Sequence, residues 1–178
     1  MTLKLCTTGL AFIVMALVQI SETIPQAIAQ QRVKFICGTS FDASRNQRFP
    51  ATLAWTPARK QPIIVWTKPV ANYTPQQRCE EVSPRFQEAY QTGTLQFITN
   101  GFMRGQQVIC AAKGYRQPCS TLLMTLRPGE NSLEALNELR DILNGRQVGP
   151  AQHSSGTPQM YYEINIDEVL KNAPVENE

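Results

Sequence analysis

Five cysteines, one histidine and a few acidic side chains are the residues of this 178-residue chain whose types could do covalent or acid–base chemistry. The most suggestive placement is Cys79 within residues 74–87, TPQQRCEEVSPRFQ, where a helix start and Arg78 could lower a thiol pKa. A thiol nucleophile needs a base, and the chain's one histidine, His153, sits in a Gly-, Pro- and Ser-rich stretch, badly placed for precise proton transfer. Counting from Thr74 puts Cys79 five positions into the helix, beyond the first turn where the helix dipole acts. Glu80 and Glu81 oppose a thiolate, and Cys79 shares its helical face with Val82 and Phe86. It therefore reads as a core-facing staple. Adjacent on a helix, Glu80 and Glu81 diverge and cannot form an opposed carboxylate pair. No P-loop is present, and no His/Cys/carboxylate cluster remains for a metal once the cysteines pair. The reading is a non-enzyme with no catalytic residue, no metal and no cofactor.

The elements that position these residues follow from periodicity. Arg32–Gly38 alternates like a half-buried strand, and a polar loop through Arg48 follows. ATLAW and PIIVWT then form a hairpin across TPARKQP, each strand ending in a tryptophan. Thr74, Pro75 and Gln77 read as N-cap, N1 and N3 of a helix ending at Gly93, with Pro84 expected to kink or split it and Ser83 to cap the second piece. Leu95–Thr99, Gln106–Ala112 and STLLMTL are three further strands. Asn131 with Glu134 opens a second helix striped by Leu133, Leu136, Leu139 and Leu143. Residues 146–160 read as a flexible linker or long loop, and 161–178 as a C-terminal strand, short helix and tail. The order predicts an α+β domain over 30–145, with a mainly antiparallel sheet of six to seven strands and two main helices on one face.

Residues 1–29 read as a signal peptide: Lys4, an apolar run from Leu5 to Ile20, then Ala27-Ile28-Ala29 as a small-x-small cleavage pattern. The apolar run is short for a spanning helix, the alternative being an uncleaved N-terminal anchor. Export explains the cysteines. Beyond Cys6, the four at Cys37, Cys79, Cys110 and Cys119 suggest two disulfides, with three connectivities open. Their placement on the elements favours Cys37–Cys79, tying first strand to first helix, and Cys110–Cys119, closing a short loop between adjacent strands. Charge is uneven. Residues 30–127 carry 13 Lys/Arg against 4 Asp/Glu (+9), and residues 128–178 carry 3 against 9 (−6), so the body could meet an anionic surface.

The chain resembles the circadian-oscillating-protein (COP) domain family of cyanobacteria. The resemblance rests on Phe35-x-Cys37, Pro50-Ala51-Thr52, Trp66, and above all Thr74-Pro75-Gln76-Gln77-Arg78-Cys79 running into Val82-Ser83-x-Arg85-Phe86. Thr99-x-Gly101, Val108-Ile109-Cys110, Cys119 and Leu122-Leu123-x-Thr125-Leu126 extend it over about 33–143. It implies an exported or membrane-associated cyanobacterial protein whose abundance follows the day, and it carries over no activity or ligand. One departure is Arg104-Gly105, where the family pattern leads to Asn-Gly before VIC.

The expected function is that of an exported protein of the periplasm, thylakoid lumen or cell exterior, binding or structural in role, with an unidentified protein or envelope partner. The alternative is a module for anionic polysaccharide or a membrane surface, using Trp55, Trp66, Arg59, Lys60 and Lys68 as ligand-binding residues. Nucleic acid is excluded, because an exported domain does not meet it and the basic residues show no RNA-stacking pattern.

Overall fold

The computed structural model describes residues 33–149 and 157–173. The signal-peptide reading of 1–29, His153 with the rest of 150–156, and the tail beyond 173 lie outside those residues. In chain order the described residues form β1 (Lys34–Asp42), β2 (Gln47–Thr56), β3 (Arg59–Val65), α1 (Pro75–Gln91), β4 (Phe97–Met103), β5 (Gln106–Ala112) and β6 (Thr121–Thr125). Then follow α2 (Ser132–Ile142), β7 (Arg146–Gln147), β8 (Tyr161–Glu163) and α3 (Ile166–Lys171). The fold is α+β. Its strands divide into two antiparallel sheets, β1-β2-β3 and β6-β5-β4-β8-β7. Arg146 and Gln147 pair with Glu163 and Tyr162, so the start of the 146–160 segment is a sheet edge.

Helix α1 starts where its capping residues require. The Gln77 backbone N–H donates to Thr74 Oγ1 at 3.2 Å, and the Gln77 side chain accepts from the Thr74 N–H at 2.9 Å. Pro84 does not split the helix, which runs unbroken to Gln91. Glu80, whose carbonyl loses its partner at Pro84, is exposed like Pro84 itself, so water can satisfy the freed group. Nor does Ser83 act as a cap. It is buried, and its hydroxyl donates to the Cys79 carbonyl at 2.8 Å.

The polar stretch expected as a loop before Arg48 is mostly strand. β1 and β2 pair from Lys34↔Trp55 out to Asp42↔Gln47, turning through Asn46 at φ 49. Both strands of this outer arm are solvated, so no alternation of apolar residues marks them. At the departure from the family pattern, Arg104 (φ 52) and Gly105 (φ 78) both take positive φ, the primed hairpin turn that Asn-Gly would also form.

Both predicted disulfides are present: Cys37–Cys79 between β1 and α1, and Cys110–Cys119 from β5 to the segment before β6, each with Cα atoms 5.4 Å apart. α1 packs on both sheets. Phe86 stacks on Phe35 of β1 with ring centroids 5.7 Å apart, while Thr94 beyond the helix meets Thr121 of β6 at 3.2 Å. Phe86, Ile63, Ile98, Ile109 and Leu136 are fully buried around that junction.

These contacts fix the direction of each strand. Cys37 and Thr125 both lie beside the first turns of α1, through the disulfide and through Arg78, which donates to the Thr125 carbonyl at 3.5 Å. Because Val108 pairs with Thr125 and with Gly101, the β4–β5 turn lies at that same end. The β1–β2 turn extends past Cys37 in the same sense. Both long hairpin tips therefore project from the end of the molecule where α1 begins.

Candidate functional site

The five expected ligand-binding residues do not form one patch. Trp55 pairs across the hairpin with Lys60, next to Arg59, at the β2–β3 turn. Trp66 follows the other end of β3, where its backbone N–H donates to the Pro50 carbonyl at 2.9 Å. Trp55 lies five residue steps along β2 from Pro50, roughly 17 Å of strand. At the turn, Trp55 is half-buried with Lys34 Nζ 5.9 Å from its ring centroid, and Arg59 donates to the Ala173 carbonyl at 2.6 Å. Lys60 is half-buried beside them.

Trp66 and Lys68 do share a site. The indole is only 3% exposed, so it is a wall and not an open stacking platform. Its Nε1–H donates to Thr52 Oγ1 at 3.1 Å, and the Thr52 and Ser83 hydroxyls lie 3.0 Å apart. This buried chain locks the ring between β2 and α1. Thr52→Val, which keeps the shape and removes the acceptor, should lower stability by about 1–3 kcal/mol. Urea denaturation followed by tryptophan fluorescence measures this, and a variant as stable as the parent would contradict it.

Over the outer face of Trp66 lies Arg78, its guanidinium 4.4 Å from the ring centroid. Periodicity places Arg78 on the solvent side of α1, but the structure half-buries it. The available signal is its position four residues before Val82, at the border of the apolar arc. Burial pushes its pKa below the usual arginine value. Glu130 works against that, and Arg127 adds to it. It remains a cation at any physiological pH. No carboxylate of the described residues pairs with it, since Glu130 is taken by Arg127 at 3.1 Å. Lys68 is exposed nearby, and Arg45 reaches the same space.

Together these side chains head a cleft of about 490 Å³ between β3 and α2. Trp66, Leu126, Leu139 and Ile142 are among its apolar walls, and Glu130 and Glu138 also line it. A larger hollow of about 890 Å³ lies at the opposite end of α1, near Tyr90, Arg146, Glu163 and Asp167. There Arg146 is already paired with Glu163, and burial followed by the Asp167 charge raises the Tyr90 pKa. The smaller cleft is the one with an unpaired, desolvated cation.

Around that cleft the hairpin end is basic. Arg45 and Arg48 stand over Phe49 and Phe41 at 5.5 and 5.9 Å, and Arg104 occupies the β4–β5 turn. Phe41 and Phe102 are 53% and 64% exposed. Arg45 pairs with Asp42, and Glu80 accepts from Gln76. Arg48, Lys68, Arg78 and Arg104 have no carboxylate partner among the described residues. The arrangement can hold anions; among the described residues no group of His, Cys, Asp and Glu could hold a metal ion.

A disulfide-stapled α+β domain of two antiparallel sheets and three helices is the class that these observations define. The family model for circadian oscillating protein COP23 matches residues 34–171, and the chain belongs to that family. No curated protein and no solved structure matches it. Two disulfides suit an oxidising compartment. No helix among the described residues is long and apolar enough to cross a membrane.

Proposed function

We propose that this chain is an exported, non-enzymatic binding protein of the cyanobacterial envelope or thylakoid lumen that holds an anionic polysaccharide at its hairpin end. The observation that carries this is the gathering of Arg48, Lys68, Arg78 and Arg104 at one end without carboxylate partners among the described residues. Exposed Phe41 and Phe102 beside them give sugar rings an apolar surface to lie on. The disulfides support export. Cys79, committed to Cys37, supplies no thiol for covalent chemistry.

Chromatography of the oxidised domain on immobilised dextran sulfate tests this. Retention is expected at about 0.01 M salt, where the Debye length is roughly 30 Å, and release by about 1 M, where it is roughly 3 Å. The triple variant Arg48→Gln, Lys68→Gln, Arg104→Gln changes exposed residues and should elute at clearly lower salt. Flow-through at low salt, or retention indifferent to the three substitutions, would overturn the reading.

A further inference from the structure

We propose that the cleft between β3 and α2 is a binding site for a free fatty carboxylate, its head on Arg78 and its chain running toward Ile142. This goes beyond the polysaccharide reading: it shares Arg78 and Lys68 with it but adds the apolar walls of the cleft, which that reading does not use.

Three observations carry it. First, the cleft's polarity is graded along its length. Arg78, Lys68 and Arg127 stand at the end where α2 begins, Arg127 being paired with Glu130, and Ala135, Leu139 and Ile142 continue along the helix with Glu138 as the one acid among them. Ala135 to Ile142 spans about 10 Å of helix, so the wall leading away from the basic end is as long as a medium alkyl chain. Second, apolar surface is left open there. Val65 and Ile142, on opposite walls, are 41% and 39% exposed, and both line the cleft. Third, the volume of about 490 Å³ falls within the range of small-molecule sites, which are mostly apolar with a few placed polar groups.

Charge complementarity selects the head group. A planar carboxylate accepts two parallel N–H bonds from a guanidinium, and Arg78 has donor capacity beyond its one long bond to Thr125. Its partial desolvation strengthens any such pairing. The cleft also fits an alkyl chain better than an added peptide strand. β3 is an edge strand, but Pro62 sits in it and lacks the N–H that a strand ladder needs.

The test is fluorescence of dansyl-labelled undecanoate, displaced by unlabelled ligands below their micellar concentrations. Dodecanoate should displace the probe, whereas dodecanol and dodecyltrimethylammonium should be at least about tenfold weaker and acetate without effect. Val65→Glu, at an exposed position, places a like charge beside the chain path and should weaken dodecanoate at least about tenfold. Arg78→Gln should abolish the preference for dodecanoate over dodecanol; if that variant fails to fold, Lys68→Glu with Val65→Glu decides the matter. Equal affinity for acid, alcohol and ammonium would overturn the proposal, as would dodecanoate binding untouched by these substitutions. Capture by anionic phospholipid vesicles without dodecanoate binding would overturn it as well. Dextran sulfate retention unchanged in Val65→Glu, with dodecanoate weakened, would support the proposal by showing that the apolar wall serves the fatty chain alone.

Discussion

Replacing Cys37 and Cys79 together by alanine should destabilise the oxidised domain by about 4 kcal/mol and lower its Tm by roughly 15 °C. The bond spans 42 positions of sequence, enclosing most of the first sheet and the entry to α1. In the chain-entropy picture, freeing that loop widens the unfolded ensemble far more than opening the nine-position loop of Cys110–Cys119, for which about 2.5 kcal/mol is expected. Local surroundings act in the same direction. Cys79 is fully buried on the face of α1 that carries Val82 and Phe86, so truncation also removes packed sulfur. Melting curves of the two double-alanine variants, followed by far-ultraviolet circular dichroism, settle the order. A larger loss from Cys110 and Cys119 would show that the long bond does not anchor α1 to the first sheet.

Where a short-range rule acts alone, the sequence is legible. Thr74-Pro75-x-Gln77 and Asn131-x-x-Glu134 each place a helix start to the residue, because a cap satisfies backbone N–H groups only a few positions away. The disulfide pairing follows once Cys37 is on a strand and Cys79 on the buried face of a helix. The outer arm from Thr39 to Arg48 escapes because solvated strands carry no apolar alternation, and pairing with each other is what makes them strands. Tyr161–Glu163 alternates like a strand, yet nothing in it says that it will enter the second sheet between β4 and β7. The candidate site suffers most. Trp66 and Lys68 could be singled out by type, but the cleft they head exists only because α2 comes to lie along β3, some 70 residues away. Arg78 is the clearest loss. On a wheel it faces solvent, and only Trp66 beneath it explains its burial.

Phe86→Ala should cost about 4 kcal/mol, comparable with loss of the long disulfide, and for a reason that bears on the whole fold. The ring is fully buried and stacks on Phe35 at 5.7 Å, and Phe35 in turn meets Tyr90 one turn along α1 at the same distance. Among the described residues the two sheets share no ladder, so α1 is their main mechanical link: β1 and β2 lie against it on one side and β6 on another. A cavity at Phe86 therefore weakens the junction and not just one layer. Phe86→Leu keeps most of the volume and should cost under about 1.5 kcal/mol. Urea denaturation monitored by circular dichroism and by tryptophan fluorescence distinguishes the outcomes, since Trp55 and Trp66 both report on the first-sheet region. A joint structure requires coincident transitions and an unchanged slope in both variants. If Phe86→Ala instead melts the first sheet while the circular dichroism of the second persists, the sheets are separately stable. The chain would then be two cooperating halves held by the Cys37–Cys79 bond, and the cleft between β3 and α2 would open whenever they part.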